Sequence, residues 1–540
     1  MIGRLVRLWR AATLANARCS ESHLIHARWG ELRARHVRLK SQLSLAYVSP
    51  AGRVASYQVI RKIRVSAVWR TVFARLGQVM ETAVRKETPA LFWAIIAVVV
   101  LLPLPLGAVY QWSWGLMSSV VGIVLAVWSV RVALGLQDVA FGMRRVWPLE
   151  VSFGLVVVWI VLQVLPFTPA GWHHPLWSTT ADVLGEETYS AISLNPFDTL
   201  SGLVRLLAYA GIFWIALQYC RRAGRARQVL LAIVYSGLAY ALYGVAVHLI
   251  GSDVLPTFST TAHPDDVTST FVDRHSFATY IGLAVLCCMG LLLALLTQAG
   301  SATGGKQRIP RIIEVGVGRG WPLLLTLLVL LLALVLSGSR TGFFSTLLGL
   351  LSFVLVAGLA RALDRRLAVA LGALGVAGLG WVLRIGGDQI SARLRNPFNL
   401  GESPVVYGRI VDAITDSWAL GTGFGTFEEA FRFYRTIEIP VNFDMAHSIY
   451  LENVLELGIP AASALFCVFV FFLILCAVGI QKRRRDAVYP CVGLAATILV
   501  SADVLIDFSL HIPAITATYM LIMGAASAQC WSSRRPIDPW

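Results

Sequence analysis

The chain has 540 residues, of which 57% are hydrophobic and only 14% charged, with a mean hydropathy of +0.69. A soluble domain carries about 25% charged residues, so this composition excludes an ordinary soluble enzyme. Repeated apolar runs point instead to an integral membrane protein that crosses lipid as helices, because the bilayer offers backbone amides no other partner. The net charge is +16, and residues 1–90 hold 17 Lys/Arg against 4 Asp/Glu, leaving 29 against 26 for the remainder. The basic excess therefore belongs to an N-terminal extension, and no nucleic-acid partner is expected.

Residues 1–89 are rich in Arg and His and hold no apolar run long enough to span. Arg4, Arg7 and Arg10 interrupt the stretch where a signal peptide needs its apolar core. The segment reads as a basic cytoplasmic extension, partly helical and lying on anionic lipid, with Met80 as an alternative start.

From Pro89 onward the sequence predicts twelve spans, near 90–110, 113–134, 148–167, 199–220, 228–250, 275–298, 321–338, 341–360, 367–384, 458–480, 487–507 and 512–530. Basic residues in the short connections set the orientation. One set of connections carries Arg144 and Arg145, the cluster Arg221 to Arg227, Lys306 to Arg311, Arg361 to Arg366, Lys482 to Arg485, and Arg534 with Arg535. In the alternate set, 168–198 and 251–273 contain no Lys or Arg. This alternation puts both termini in the cytoplasm. The expected organisation is a basic extension (1–89), spans 1–9 (90–384), a large non-cytoplasmic loop (385–457), and spans 10–12 with a short tail (458–540).

The eight cysteines lie in apolar runs, at their ends, or in the basic N-terminus, so no disulfide framework is expected. No C-x-x-C or H-E-x-x-H spacing occurs, and neither a metal site nor a cofactor is expected. No internal repeat relates the two halves, which counts against a transporter built from inverted repeats. The loop 385–457 mixes aromatics with charge and predicts short amphipathic helices over the membrane face.

Few residues have the chemistry for a site. Arg340 lies in the turn SGSRTG (337–342) between spans 7 and 8, on the side that positive charge avoids. It reads either as an arginine snorkelling to headgroups or as a bidentate anion contact, helped by the hydroxyls of Ser339 and Thr341 and the N–H groups opening span 8. Arg274, in FVDRHSF, follows Asp273 and reads equally as a helix-start ion pair. Arg205 sits inside span 4 and should face the bundle interior, where it serves structure or binds phosphate. Arg409 opens an apparent helix, RIVDAITDSWAL, which ends at Gly421 and also offers Asp412 or Asp416 as ion-pair partners. His447 precedes a helix with Glu452 and Glu456 on one side, and an imidazole can take a proton from a hydroxyl near neutral pH. Spacing alone does not choose His447 over His173, His174, His263, His275 or His511.

Four stretches choose it by resemblance. AHSIYLENVLELGIP (446–460), SGSRTG, STFVDRHSFATYIGL (269–283) and RIVDAITDSWALGTGFGTF (409–427) resemble, in order, motifs of the O-antigen ligase and O-antigen polymerase superfamily. Together they cover about 260–460. Where the family run carries Asn, this chain has Ser448, Asp273 and His275.

The resemblance implies an all-α, GT-C-like polytopic membrane fold with the loop between helices 9 and 10 facing the periplasm of the bacterial inner membrane. It implies an inverting, metal-independent glycosyltransferase with an undecaprenyl-diphosphate-linked glycan as donor. His447 would deprotonate the acceptor hydroxyl, and Arg340 and Arg409, with Arg274 and Arg205, would hold the diphosphate and its developing charge. The acceptor would be a second lipid-linked glycan (polymerase), lipid A-core (ligase) or a protein hydroxyl (O-oligosaccharyltransferase), with polymerisation of O-antigen or exopolysaccharide repeats preferred. A lipid-linked sugar transporter is the alternative of another class. Membrane lipids and other polysaccharide-assembly proteins are the further partners implied.

Overall fold

The computed structural model describes residues 89–186, 189–250, 267–301, 318–360, 404–437, 439, 442–446, 448–483 and 486–531, and a few positions between 369 and 380. The basic extension, residues 251–266 with His263, most of the ninth expected span, residues 385–403 and His447 itself lie outside the described residues.

Among the described residues the protein is all-helical. The α-helices are α1 (Pro89–Leu101), α2 (Gln111–Ala133), α3 (Trp147–Val164), α4 (Pro175–Leu184), α5 (Pro196–Tyr219), α6 (Ala223–Ile250) and α7 (Arg274–Ser301), followed by α8 (Trp321–Leu336), α9 (Arg340–Leu359), α10 (Pro404–Ser417), α11 (Phe427–Arg432), α12 (Ile449–Lys482), α13 (Val488–Asp503) and α14 (Pro513–Ala528). Seven of these, α2, α3, α5, α6, α7, α9 and α12, are long and apolar enough to cross a membrane, and α1, α8, α13 and α14 are shorter apolar helices. Every expected span apart from 367–384, which lies mostly outside the described residues, overlaps an α-helix, the first over 90–101 only.

Local chemistry explains where the helices begin. Asn195 caps α5, accepting the N–H groups of Phe197 and Asp198, and Pro196 takes the first helical position, where a missing N–H costs nothing. Asp273 caps α7, its Oδ1 accepting from the N–H groups of His275 (2.7 Å) and Ser276 (2.8 Å). Its Oδ2 accepts from the Ser276 hydroxyl at 2.6 Å. Ser339 caps α9 through the N–H of Gly342, which puts Arg340 at the first helical position.

The centre of the bundle is α7, which packs on α6, α8, α9 and α13. The most apolar window of α7 is 78% buried against 22% for α2, so α2 faces outward. Small residues allow the close approach. A Cβ on Gly237 would come within 2.5 Å of the Ala284 Cβ, and one on Gly282 within 2.2 Å of the Thr346 hydroxyl.

The helix α12 is broken near its start. Pro460 has no N–H for the carbonyl of Glu456, and Gly458 adopts φ 75°, ψ 159°. The N–H of Ile459 turns away from the carbonyl of Leu455 and donates to Trp418 O at 2.7 Å. The carbonyls so released bind the glycine-rich turn: Thr422 N–H donates to Leu455 O and Gly423 N–H to Glu456 O, each at 3.0 Å. The carbonyl of Leu457 accepts from the Trp159 indole at 2.9 Å. The predicted amphipathic character of the loop appears in α10, which begins at Pro404 rather than Arg409 and buries Val406, Tyr407, Ile410 and Ala413 against α11 and Leu455.

Candidate functional site

A cavity of about 660 Å³ opens between α5, α12 and the turns around them. Its apolar wall includes Trp214, Phe424 and Phe469, and its polar wall is unusually charged for a membrane bundle. From α5 come Asp198 and Arg205, from α12 Glu452 and Glu456, and from the α13–α14 connection His511. Asp444 and Met445, close before His447, also line it.

Arg205 resolves the cost of placing a cation inside α5, since an arginine at the centre of a span costs about 2.5–3.5 kcal/mol on insertion scales. It faces the cavity, sits 5.4 Å from the Trp114 ring centroid, and lies within electrostatic reach of Asp198 and Glu456. Asn195 draws two carboxylates together at one edge, donating from Nδ2 to Asp198 Oδ2 (2.5 Å) and Glu429 Oε1 (3.1 Å). Glu456 is anchored to backbone, its Oε1 accepting the Phe427 N–H at 3.0 Å. Glu452 divides its oxygens: Oε2 accepts the Ala446 N–H at 3.0 Å, and Oε1 lies 3.0 Å from His511 Nε2, without hydrogen-bond geometry.

A second polar cluster surrounds the turn that holds Arg340. His275 Nδ1 lies 2.9 Å from both Ser339 Oγ and Thr341 Oγ1, the hydroxyls on either side of Arg340, and 4.0 Å from Asp507 Oδ2. Deeper in, Asp503 Oδ1 accepts from Thr279 (2.9 Å) and Ser345 (3.2 Å). The α13–α14 connection joins the two clusters, presenting Asp507 to His275 and His511 to Glu452.

The expected residues therefore separate. Arg205 lines the cavity. Arg274 and Arg340 stand at the starts of α7 and α9 and share the His275 hub, with Arg274 Nε 3.5 Å from His275 Nε2. Arg409 lies on α10 and forms a half-exposed pair with Asp412 at 3.2 Å. Three residues that sequence reading left unassigned prove central to the arrangement: Gln163, Glu452 and His511. For Gln163 the available signal was a lone glutamine near the end of the apolar run VVVWIVLQV, since a polar side chain inside a span needs a partner. Among the described residues no three His, Cys, Asp or Glu side chains converge to hold a metal.

Apolar helices around a charged cavity define a polytopic helical membrane protein with a polar site inside the bundle. Residues 325–466 match the family model described as O-antigen ligase, and this match supports the O-antigen ligase/polymerase superfamily. The matched segment runs from α8 into α12 and holds Arg340, Arg409, His447, Glu452 and Glu456, but not Arg205, Arg274 or His511. No curated protein matches the chain.

Proposed function

We propose that this protein is an inverting, metal-independent glycosyltransferase that moves a glycan from undecaprenyl diphosphate to an acceptor hydroxyl on the periplasmic face of the inner membrane, most simply by polymerising O-antigen or exopolysaccharide repeats. The observation that carries the reading is the charged cavity, with Arg205 on its wall and Asp444 and Met445 bringing the chain toward His447, inside a molecule whose 325–466 segment matches the ligase family. In this reading His447 takes the proton from the acceptor hydroxyl. The acceptor oxygen bonds to the anomeric carbon from the face opposite the diphosphate, and the bond to the diphosphate oxygen breaks with its electron pair. Arg340 and Arg409, with Arg274 and Arg205, neutralise the charge left on the diphosphate. Twelve spans and cytoplasmic termini, with the 385–457 loop outside, belong to the same proposal.

The family description favours a second acceptor, lipid A-core, which would make the protein a ligase. One assay separates the readings. The full chain in nanodiscs receives a synthetic undecaprenyl-diphosphate oligosaccharide without metal or ATP. A product ladder that disappears in His447→Ala and Arg340→Ala supports the polymerase. A single transfer that requires added lipid A-core supports the ligase. Full activity in both variants refutes the assigned roles, and absence of transfer to glycan, lipid A-core or protein hydroxyls refutes the glycosyltransferase.

A further inference from the structure

Glu452, on α12, is only 4% exposed. A carboxylate taken into such a place costs several kcal/mol unless its oxygens are matched. Its partners are informative. Oε2 reaches back past the Ser448 cap and accepts the N–H of Ala446 at 3.0 Å. The carbonyl of Ala446 accepts from the Tyr407 hydroxyl at 3.3 Å, so both backbone groups of the residue preceding His447 are held. On the other side, the N–H of Ile449 donates to Val504 O at 3.3 Å. The second carboxylate oxygen, Oε1, lies against His511 Nε2 at the cavity wall. One side chain thus ties Ala446, the residue before His447, to His511 on the cavity wall.

We propose that Glu452 is a positioning residue for glycan transfer: its carboxylate clamps the backbone next to His447 and, through the other oxygen, sets His511 on the wall that the acceptor approaches. This rests on the transfer reading above. Glu452 itself need not touch substrate. Its effect comes through placement, where a displacement of about 1 Å at a reacting group can lower a rate by about 100-fold.

The test uses the full chain in nanodiscs with the same synthetic donor, and pairs kinetics with amide exchange of a peptide spanning 442–450. Glu452→Ala is expected to speed exchange at Ala446 by about tenfold. It should also lower kcat by about 100-fold while leaving the donor KM close to wild type. Glu452→Gln keeps an acceptor oxygen at the right reach and should recover much of the loss. Glu452→Asp keeps the charge but is one methylene short, and should recover less. His511→Ala should lower kcat without accelerating exchange at Ala446. If the Ala variant does not fold, the Gln and Asp variants carry the comparison. Unchanged exchange in the variants overturns the clamp, and faster exchange with unchanged kcat overturns its role in transfer. Full activity in Glu452→Asp would assign the effect to charge alone and also overturn the proposal. If the wild-type chain transfers to no acceptor, the transfer reading fails by itself, while the exchange data still decide whether Glu452 holds this segment.

Discussion

Gln163 donates its side-chain amide to the backbone oxygen of Glu456 at 2.8 Å, the same oxygen that Pro460 leaves without its helical donor. The same Nε2 reaches Leu420 O at 2.9 Å, and Oε1 accepts the Phe424 N–H at 3.2 Å. One buried side chain of α3 therefore joins the break in α12 to the glycine-rich turn. Replacing it with Ala removes this partner from Leu420 O and the Phe424 N–H, at about 1–3 kcal/mol for each group left unsatisfied, while Glu456 O keeps the Gly423 N–H. Gln163→Ala should lower the thermal midpoint of the detergent-solubilised protein, measured by loss of the monodisperse peak after heating. Gln163→Glu puts a carboxylate oxygen against the carbonyls of Leu420 and Glu456 in a buried place and should be no more stable than Ala.

The turn that Gln163 grips is built for glycine. Gly421 has φ 72°, and a Cβ there would lie 2.2 Å from Glu456 O, a backbone atom that cannot step aside. Gly421→Ala should therefore destabilise the turn by more than the about 1 kcal/mol expected of a positive-φ substitution alone. Gly408→Ala has open space and should be nearly silent. Heating the two variants in parallel checks both expectations.

Much of the helical pattern was legible because apolar runs and loop charge are local properties. The turn at SGSRTG was legible for the same reason, since serine caps and glycine act on their own neighbours, whereas the break at Gly458–Pro460 was not read from the sequence. The partners of buried polar groups were not legible. Gln163 and Glu456 are 293 residues apart, and Glu452 meets His511 across two helices. Nothing in either local sequence states the other's position. His275 is an instructive case. At the sequence level it reads as an interfacial residue standing where the family carries Asn. In the fold it holds the turn carrying Arg340.

That contact gives a prediction about Arg340. Ser339 and Thr341 both lean on His275 Nδ1, so His275→Ala frees the hydroxyls on either side of the arginine. Asn at this position presents a polar group to the same two hydroxyls. Transfer by His275→Ala should fall by about tenfold or more through misplacement of the turn, and His275→Asn should retain more of it. The assay is the donor-dependent ladder. Equal activity in both variants and wild type would detach His275 from the positioning of Arg340.

Arg205 gives a prediction that separates charge from shape. Its guanidinium lies over Trp114 on the cavity wall, within reach of the Asp198 and Glu456 carboxylates, and in the proposed reading it is a planar, bidentate donor to phosphate. Arg205→Lys keeps the charge but loses the fork and the stacking. Donor KM in Arg205→Lys should rise by about tenfold, and Arg205→Ala should exceed it. An unchanged KM in both variants, with lowered thermal stability, would assign Arg205 to the architecture of α5 instead.

His174 supplies a pH-dependent prediction outside the spans. It caps α4, its Nδ1 accepting the Leu176 N–H at 3.3 Å, and burial pulls its pKa below the ordinary value. The folded state therefore prefers the neutral ring, which alone can accept this hydrogen bond. The stabilisation is complete above the unfolded pKa of about 6.5 and is lost as pH falls through the lower folded value. Protonation removes the cap and places a cation at the positive end of the helix, so both effects act in the same direction. Amide exchange of a peptide covering 174–184, corrected for intrinsic rates, should show protection falling on acidification from pH 7.5 to about 5. His174→Asn keeps a cap acceptor that does not titrate in this range, and its protection should stay level. Parallel profiles for the two proteins would show that the cap does not depend on the neutral imidazole.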